Sequence, residues 1–348
     1  MTSGVQEGRP VEARISVAEI PGRDFTHYET GLSPLGTDRG EYARVVHDAC
    51  QRKTALNLGI AYSPDLDRMC STCVFRTANP GVYLHPDGRC NICHAFEHGF
   101  AAAERTGSLA REREECLDPA ETRGADLDVV VAFSGGKDSS ATLAHVSRER
   151  GLRTHAVLVD NGYIPSFVVE NCRRMCRRAG AVFVRLSFDL GPVVSRACAE
   201  PTATAYPCNH CSKVFKNEIA EYALSKGCRR VVMGRNFWAF LEPRLSGVRE
   251  IQTRTGAGVR FYSLPFLLRW THGDLESRLE AIGWDRRHEG IPGMSTNCLV
   301  PGILDPRYET ATGIRPDAAI LAHEVIAGFI TRDQALAKLR QTGRAAGE

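Results

Sequence analysis

Val129–Val130–Val131–Ala132–Phe133–Ser134–Gly135–Gly136–Lys137–Asp138–Ser139–Ser140 is the stretch on which the reading of this chain turns. Val129 to Phe133 is an unbroken apolar run rich in β-branched residues, the pattern of a strand buried on both faces. The run stops at Ser134–Gly135–Gly136, and Ser139–Ser140–Ala141–Thr142–Leu143–Ala144 then opens a helix. Strand, glycine turn and helix in this order aim free backbone N–H groups and the positive end of a helix dipole at one spot. Lys137 adds a mobile ammonium, and the glycines let an oxyanion approach the backbone without meeting a Cβ. The stretch reads as an anion cradle.

Outward from the cradle, the chain from Asp128 has a βαβαβ pattern. A helix from Ser139 to Arg150 leads through Gly151 to a second strand, Thr154 to Asp160, closed by Asn161–Gly162. A helix from Ser166 to Ala179 stops at Gly180, and Val182 to Leu186 is a third strand. Buried strands separated by helices predict an α/β fold, a doubly wound parallel sheet. Ligands of such sheets bind beyond the carboxyl ends of the strands, so Ser134–Ser139 and Asp160 share one rim. Asp160 either contacts a ribose or Mg2+ there, or initiates the Asn-Gly turn. Further on, a helix from Cys208 to Lys226 precedes a fourth strand, Arg230 to Met233, which places Gly234–Arg235–Asn236 on the same rim. Residues 243–260 read as a polar loop, either contacting an anionic group through Arg244 to Arg260 or forming a solvated flap. Phe261 to Leu268 reads as strand and Gly273 to Ile282 as helix. Two short helices between Ala318 and Leu339 hinge at Gly328, with Thr331 as a cap.

Before the cradle, Cys70–Ser71–Thr72–Cys73 and Cys90–Asn91–Ile92–Cys93 are two Cys-x-x-Cys knuckles separated by sixteen residues. That spacing fits a tetrahedral four-thiolate Zn2+ site, and a closed four-cysteine site is structural because it leaves no position for substrate. His94 and His98 lie close enough to replace a ligand. Domain boundaries follow: an N-terminal arm and helix (1–64, the helix from Glu41 to Asn57), a zinc ribbon (65–100), a helical connection (101–126), the parallel-sheet domain (127–302) and a C-terminal helical tail (303–348).

Composition narrows the class. The chain has 348 residues, a net charge of +3 and 13 cysteines. The small, dispersed charge does not by itself argue for nucleic acid, and the paired arginines at 173–174 and 177–178 read as a solvated helix stripe. No apolar run approaches membrane-spanning length and the N-terminus has no export pattern, so a cytoplasmic protein with no membrane partner is expected. In that reducing compartment cysteines mean metal, cluster or catalytic thiols. Cys208 and Cys211 open a helix near Lys213, and Cys298 is far off in sequence. The three either ligate a cluster or metal with one position open, or Cys208–Cys211 is a redox dithiol, or they form a second structural zinc site with His210. The remaining single cysteines read as small buried hydrophobes.

Ser134-Gly135-Gly136-Lys137-Asp138-Ser139 lacks the spacing of a Walker loop and resembles the PP-loop of the ATP pyrophosphatases, which split ATP into AMP and pyrophosphate. That resemblance implies an adenine nucleotide alpha hydrolase-like sheet. It also implies ATP with Mg2+ at Ala132, Phe133, Ser134, Gly135, Gly136, Lys137, Asp138, Ser139, Asp160 and Gly234, with Lys137 and Asp138 catalytic. From Asp128 to Pro301 the layout is similar to the 4Fe–4S-dependent tRNA 2-thiolation enzymes, the 2-thiocytidine and 2-thiouridine synthetases. This implies Cys208, Cys211 and Cys298 as catalytic ligands of a 4Fe–4S cluster, with a sulfur donor as partner. The chain departs from that group at Gly234–Arg235–Asn236–Phe237–Trp238–Ala239 and shows no evident tRNA-binding module. A small-molecule substrate is therefore preferred to tRNA. The ribbon and the tail from Gly328 to Ala335 resemble the N-acetyl sugar amidotransferases instead, implying ammonia from a partner glutaminase. The two resemblances agree on adenylation of a substrate carbonyl and differ on the atom delivered, sulfur being favoured; a homodimer is left open.

Overall fold

The computed structural model describes residues 13–16, 68–77, 79, 82–118, 126–199, 207–237, 245–285, 297–305 and 316–342. A seven-stranded sheet forms the centre. Its strands are β1 (Ala13–Ser16), β2 (Val129–Ala132), β3 (Thr154–Asp160), β4 (Val182–Ser187), β5 (Arg230–Met233), β6 (Val248–Gln252) and β7 (Gly258–Ser263). They lie in the order β1-β4-β3-β2-β5-β7-β6. All neighbours pair parallel except β6, which runs antiparallel to β7. The strand order reverses between β3 and β5 on either side of β2, so the crevice of a doubly wound sheet opens at the end of β2.

Alternate residues of the central strands go to opposite faces, and both faces are covered. Val129, Val131, Ala156 and Leu158 pack on one side, and Val130, Val157, Val184 and Val231 on the other. This explains the continuous apolar runs of the sequence. The first face carries α3 (Lys137–Leu143, continuing as a π-helix over Ala144–Glu149), α4 (Ser166–Ala179) and α8 (His272–Ile282). The second carries α5 (Gly191–Ala199) and α6 (Pro207–Ser225). Before the sheet come α1 (Asn91–Thr106) and α2 (Ser108–Cys116). A short α7 (Leu264–Leu267) follows β7, and α9 (Pro316–Ile326) and α10 (Arg332–Thr342) end the described chain. Among the described residues no helix is long and apolar enough to cross a membrane.

The doubly wound parallel sheet expected from the sequence is the one observed, and β3, α4 and β5 have the expected limits. Four expectations are corrected. Residues 248–260 of the supposed polar loop belong to an antiparallel hairpin, turned at Thr253–Ala257, where the Thr253 N–H donates to the Ala257 carbonyl at 2.9 Å, and the strand expected over Phe261–Leu268 ends at Ser263, where a short helix begins. Part of the N-terminal arm, Ala13–Ser16, is an edge strand in register with Val184–Ser187. Helix α5 has no counterpart in the sequence reading. The arginine stripe of α4 is solvated at Arg177 and Arg178, which are exposed, but it also makes contacts: Arg174 donates to Asn171 at 2.6 Å, and Arg178 reaches the Ile282 carbonyl at 3.2 Å at the end of α8. The helix expected at Glu41 to Asn57, and Cys50 within it, lie outside the described residues. The hinge at Gly328 is present with a φ of +77°. Thr331 caps α10, its hydroxyl accepting the Gln334 N–H at 3.2 Å while the Gln334 side chain accepts the Thr331 N–H at 2.8 Å.

Candidate active site

The end of β2 delivers the chain into the glycine turn, with the Phe133 N–H still donating to the Val157 carbonyl at 2.9 Å. Gly135 has a φ of +77°, and a Cβ there would sit 2.6 Å from Cys172 Sγ of α4. Its carbonyl accepts from the buried Trp284 indole at 3.0 Å. Glycine is thus required at 135 by its positive φ and by packing against α4, and Gly135 does not line the cavity described below. The loop is held from within. Ser139 Oγ lies 3.1 Å from Ser134 Oγ and accepts the Ser134 N–H at 3.2 Å. The Ser140 hydroxyl donates to the Gly136 carbonyl at 2.9 Å. No side chain caps the start of α3, whose first N–H groups are therefore available to an anion.

Gly234 supplies the second wall. A Cβ there would stand 2.5 Å from both Asp138 C and Ser139 N, so the end of β5 touches the backbone of the loop. The sequence places Gly234 on this rim, and the structure adds the close approach as the reason for a glycine.

The Lys137 ammonium sits beside the loop, between Asp138 and Phe329 of the C-terminal tail. Its Nζ lies 2.6 Å from Asp138 Oδ1 and 5.5 Å from the centre of the Phe329 ring. Burial opposes the charge of Lys137, but Asp138, Glu324 and Glu276 outweigh it and hold the ammonium above its ordinary pKa. Asp138 itself faces the cavity. Asp160 is corrected. Its carboxylate is buried, accepts the Gly162 N–H at 2.9 Å and takes Arg185 Nε at 2.9 Å on its other oxygen. Both oxygens are thus engaged, and the geometry is that of the turn-initiating residue rather than a ligand for ribose or Mg2+.

One cavity of about 460 Å³ opens beside the loop. Ser134, Gly136, Asp138 and Ser139 line it at the loop, and Cys208, Cys211 and Cys298 line it across the rim. The three cysteines, widely separated in sequence, therefore share one space with the cradle. Cys208 and Cys211 are brought by the first turn of α6. Cys298 is brought by the segment 297–305, where the Leu299 N–H donates to the Tyr163 carbonyl at 3.1 Å.

A residue missed in the sequence joins them. Asn161 Nδ2 lies 3.5 Å from Cys211 Sγ and 3.6 Å from Cys298 Sγ, while its Oδ1 accepts the Tyr163 N–H at 2.9 Å. In the sequence the Asn-Gly pair reads only as a turn; the same side-chain turn aims the amide NH2 at two sulfurs. Burial pushes the Cys211 thiol up to about 11, against the hydrogen bond from Asn161. Asn236, which the sequence places on this rim, donates to Glu324 at 2.8 Å and ties the end of β5 to α9.

The second cysteine group is separate. Cys70, Cys73, Cys90 and Cys93 are buried and form, among the described residues, the one set of three or more candidate metal-ligand atoms within 4.8 Å of one another. Cys70 and Cys93 sulfurs are 3.8 Å apart, and those of Cys73 and Cys90 are 3.7 Å apart. Four thiolates at a Zn–S distance of about 2.3 Å form a tetrahedron with edges of about 3.8 Å. The set thus has the size of one zinc ion. N–H groups of Thr72 and Cys90 already point at Cys70 Sγ, at 3.4 and 3.2 Å, the donors that thiolates require. His94 is not needed, since it pairs with Asp87 at 3.0 Å.

Cys208, Cys211 and Cys298 do not close to that spacing, even with His210 nearby, so they are not arranged as a second mononuclear zinc site. Cys116, Cys172, Cys176 and Cys228 are buried as small hydrophobes, as expected.

No family model matches the chain. An uncharacterised protein of Methanocaldococcus jannaschii is 24% identical over 272 residues, which are 78% of this chain and 93% of that protein. Among solved structures, NMN synthetase from Francisella tularensis overlays with a TM-score of 0.38 at 14% identity, covering 69% of this chain and 94% of that one. The NH3-dependent NAD synthetase from Campylobacter jejuni overlays with a TM-score of 0.34 at 11% identity, covering 69% and 97%.

Proposed function

We propose that the chain is an ATP-dependent enzyme that adenylates a carbonyl oxygen of its acceptor and then replaces that oxygen with sulfur. One observation carries the reading: the cradle at Ser134–Ser139 and the thiols of Cys208, Cys211 and Cys298 line the same cavity. The open N–H groups of α3 and the hydroxyls of Ser134 and Ser139 hold the phosphates of ATP, which enters as its Mg2+ complex with Asp138 as the nearest carboxylate. Lys137, kept charged by the surrounding carboxylates, balances the pyrophosphate. The acceptor carbonyl oxygen attacks the α-phosphorus, the bond to pyrophosphate breaks, and a C–O–P linkage forms. The fixed donors act on charge that grows in that step. Ile164, Leu190, Phe215 and Val300 give the cavity apolar walls, which shield the adenylate from water. A sulfur nucleophile then forms a bond to the activated carbon, and the C–O bond breaks as AMP leaves with the oxygen.

The thiol set suits a 4Fe–4S cluster: three half-buried sulfurs, two of which, Cys211 and Cys298, share the Asn161 amide donor, spaced more widely than one zinc ion allows. When bound, such a cluster supplies an iron without a protein ligand. Anaerobic purification followed by iron and acid-labile sulfide analysis tests this; zinc alone in a colourless protein overturns it. A second reading, delivery of nitrogen, is favoured by one contact. Arg332 of the tail donates to the carbonyls of Cys73 and Cys70 at 3.2 and 3.3 Å, joining the two segments that resemble the N-acetyl sugar amidotransferases. It predicts turnover with ammonium salts and a glutaminase partner, and turnover with sulfide but not ammonia removes it.

A further inference from the structure

Arg235 follows Gly234 at the carboxyl end of β5 and lines the cavity. Its guanidinium stands 4.7 Å from the centre of the Phe237 ring, another cavity wall, and among the described residues it has no hydrogen-bonding or ionic partner. Behind it, Lys216 of α6 lies half-buried against Phe215, also a wall residue, and likewise has no carboxylate partner among the described residues. Arg249 of β6 is the third cation within electrostatic reach of both. Arg235 on the cavity wall thus has two further cations within electrostatic reach, one from α6 and one, exposed, from the edge hairpin.

Arg235 and Lys216, two like charges without a carboxylate partner among the described residues, are costly together while the wall is empty. Burial, with Arg235 and Arg249 adding repulsion, pulls Lys216 down to about 8, and burial together with Arg249 lowers Arg235. Like charges gathered in a partly desolvated place are relieved by a bound anion. Of the carboxylates near the site, Asp138 and Glu324 line the cavity and act with Glu276 on Lys137, and Glu324 also takes the Asn236 amide; among the described residues none pairs with Arg235 or Lys216. The cavity therefore has two positive poles, the loop with Lys137 and the wall at Arg235.

We propose that Arg235, supported by Lys216 and Arg249, is an oxyanion site for a carboxylate or phosphate carried by the acceptor substrate, distinct from the site of the ATP phosphates. This rests on the adenylation reading for the word acceptor, but the anion site is measurable without it. An anionic group anchored at Arg235 would place the rest of a small acceptor between the loop and the cysteines.

The test is calorimetric titration of inorganic phosphate and, separately, acetate into the full chain saturated with Mg2+ and α,β-methylene-ATP. At least one anion is expected to bind, and which one separates phosphoryl from carboxylate acceptors. Arg235→Met and Lys216→Met should each weaken that binding about tenfold or more, Arg235→Lys should retain part of it, and nucleotide affinity should stay within about twofold. Absence of binding by both anions overturns the proposal, as does wild-type binding in Arg235→Met. Loss of nucleotide affinity in the variants assigns the cations to ATP and also overturns it. Should the nucleotide itself fail to bind wild-type protein, the adenylation reading falls. Anion binding to the nucleotide-free chain that is lost in Arg235→Met then still sustains the oxyanion site.

Discussion

Replacing Gly234 by alanine tests whether the end of β5 positions the loop. The added Cβ would stand 2.5 Å from Asp138 C and Ser139 N, and both are backbone atoms that cannot swing aside. An ordinary contact begins at 3.4 Å, so strand and loop must separate by about 0.9 Å. Overpacking of this kind costs about 1–3 kcal/mol of stability. The larger effect is on chemistry, because a displacement near 1 Å of groups that align a nucleophile can cost about 10²-fold in rate. Gly234→Ala is therefore expected to remain folded, to melt a few degrees lower, and to release pyrophosphate about 10²-fold more slowly. Gly247→Ala is the matched control. Its Cβ would lie 2.4 Å from a Leu267 side-chain carbon, an approach as close but outside the cavity lining and against a side chain rather than backbone. It should lose comparable stability and keep its rate. Thermal melting and a coupled pyrophosphate assay read both quantities. If Gly234→Ala turns over as fast as wild type, or if the two variants lose activity equally, the loop is not placed by β5 and the reasoning fails.

Four further outcomes follow from the geometry. Lys137→Ala should lower pyrophosphate release by about 10²–10³-fold, since it removes a charge held beside the loop; unchanged release would show that Lys137 serves only the contact with Phe329. Asn161→Ala should leave pyrophosphate release intact and reduce formation of the sulfur product about 10–100-fold, the usual effect of losing a donor behind ligating atoms; equal loss in both assays would deny Asn161 a specific tie to Cys211 and Cys298. Cys73→Ser should abolish zinc binding measured by mass spectrometry and expose the ribbon to protease, because a structural zinc contributes about 10–16 kcal/mol of local folding energy. Anion affinity at Arg235 should fall as pH rises through about 8, where Lys216 loses its proton. The linked effect on folding has the opposite sign: between about 8 and 10.5 the unfolded chain holds more protons at this lysine, so stability rises with pH, and Lys216→Met removes that slope.

Physical reasons separate what could be read in the sequence from what could not. β2, β3 and β5 are legible because strands covered on both faces need apolar residues without interruption, and Val129–Val131 or Val231–Met233 admit few other readings. The hairpin β6–β7 is not. β6 is an edge strand whose Arg249, Glu250 and Gln252 are exposed, so its composition is that of a loop and its order comes from pairing with β7. The cysteine quartet is legible because its spacing is local. The meeting of Cys208, Cys211 and Cys298 depends on tertiary folding, and residue types alone leave three arrangements open. Asn161 is visible only as a turn residue, and Arg235 only as a rim position and a departure from a motif. What they do is set by sulfurs and cations contributed from elsewhere in the chain.

The contact of Arg332 with the carbonyls of Cys70 and Cys73 bears on how the protein is made. The knuckles span only 23 residues from Cys70 to Cys93, so the metal site can form as soon as that segment leaves the ribosome. Its seat arrives last, because the hydrogen bonds from Arg332 close separations of 259 and 262 residues. Local contacts form fast and long-range ones late, so assembly of the cysteine quartet and its docking are successive events in synthesis. A nascent chain would carry a finished ribbon through the whole translation of the sheet, and the ribbon would come to rest only when the final helix emerges.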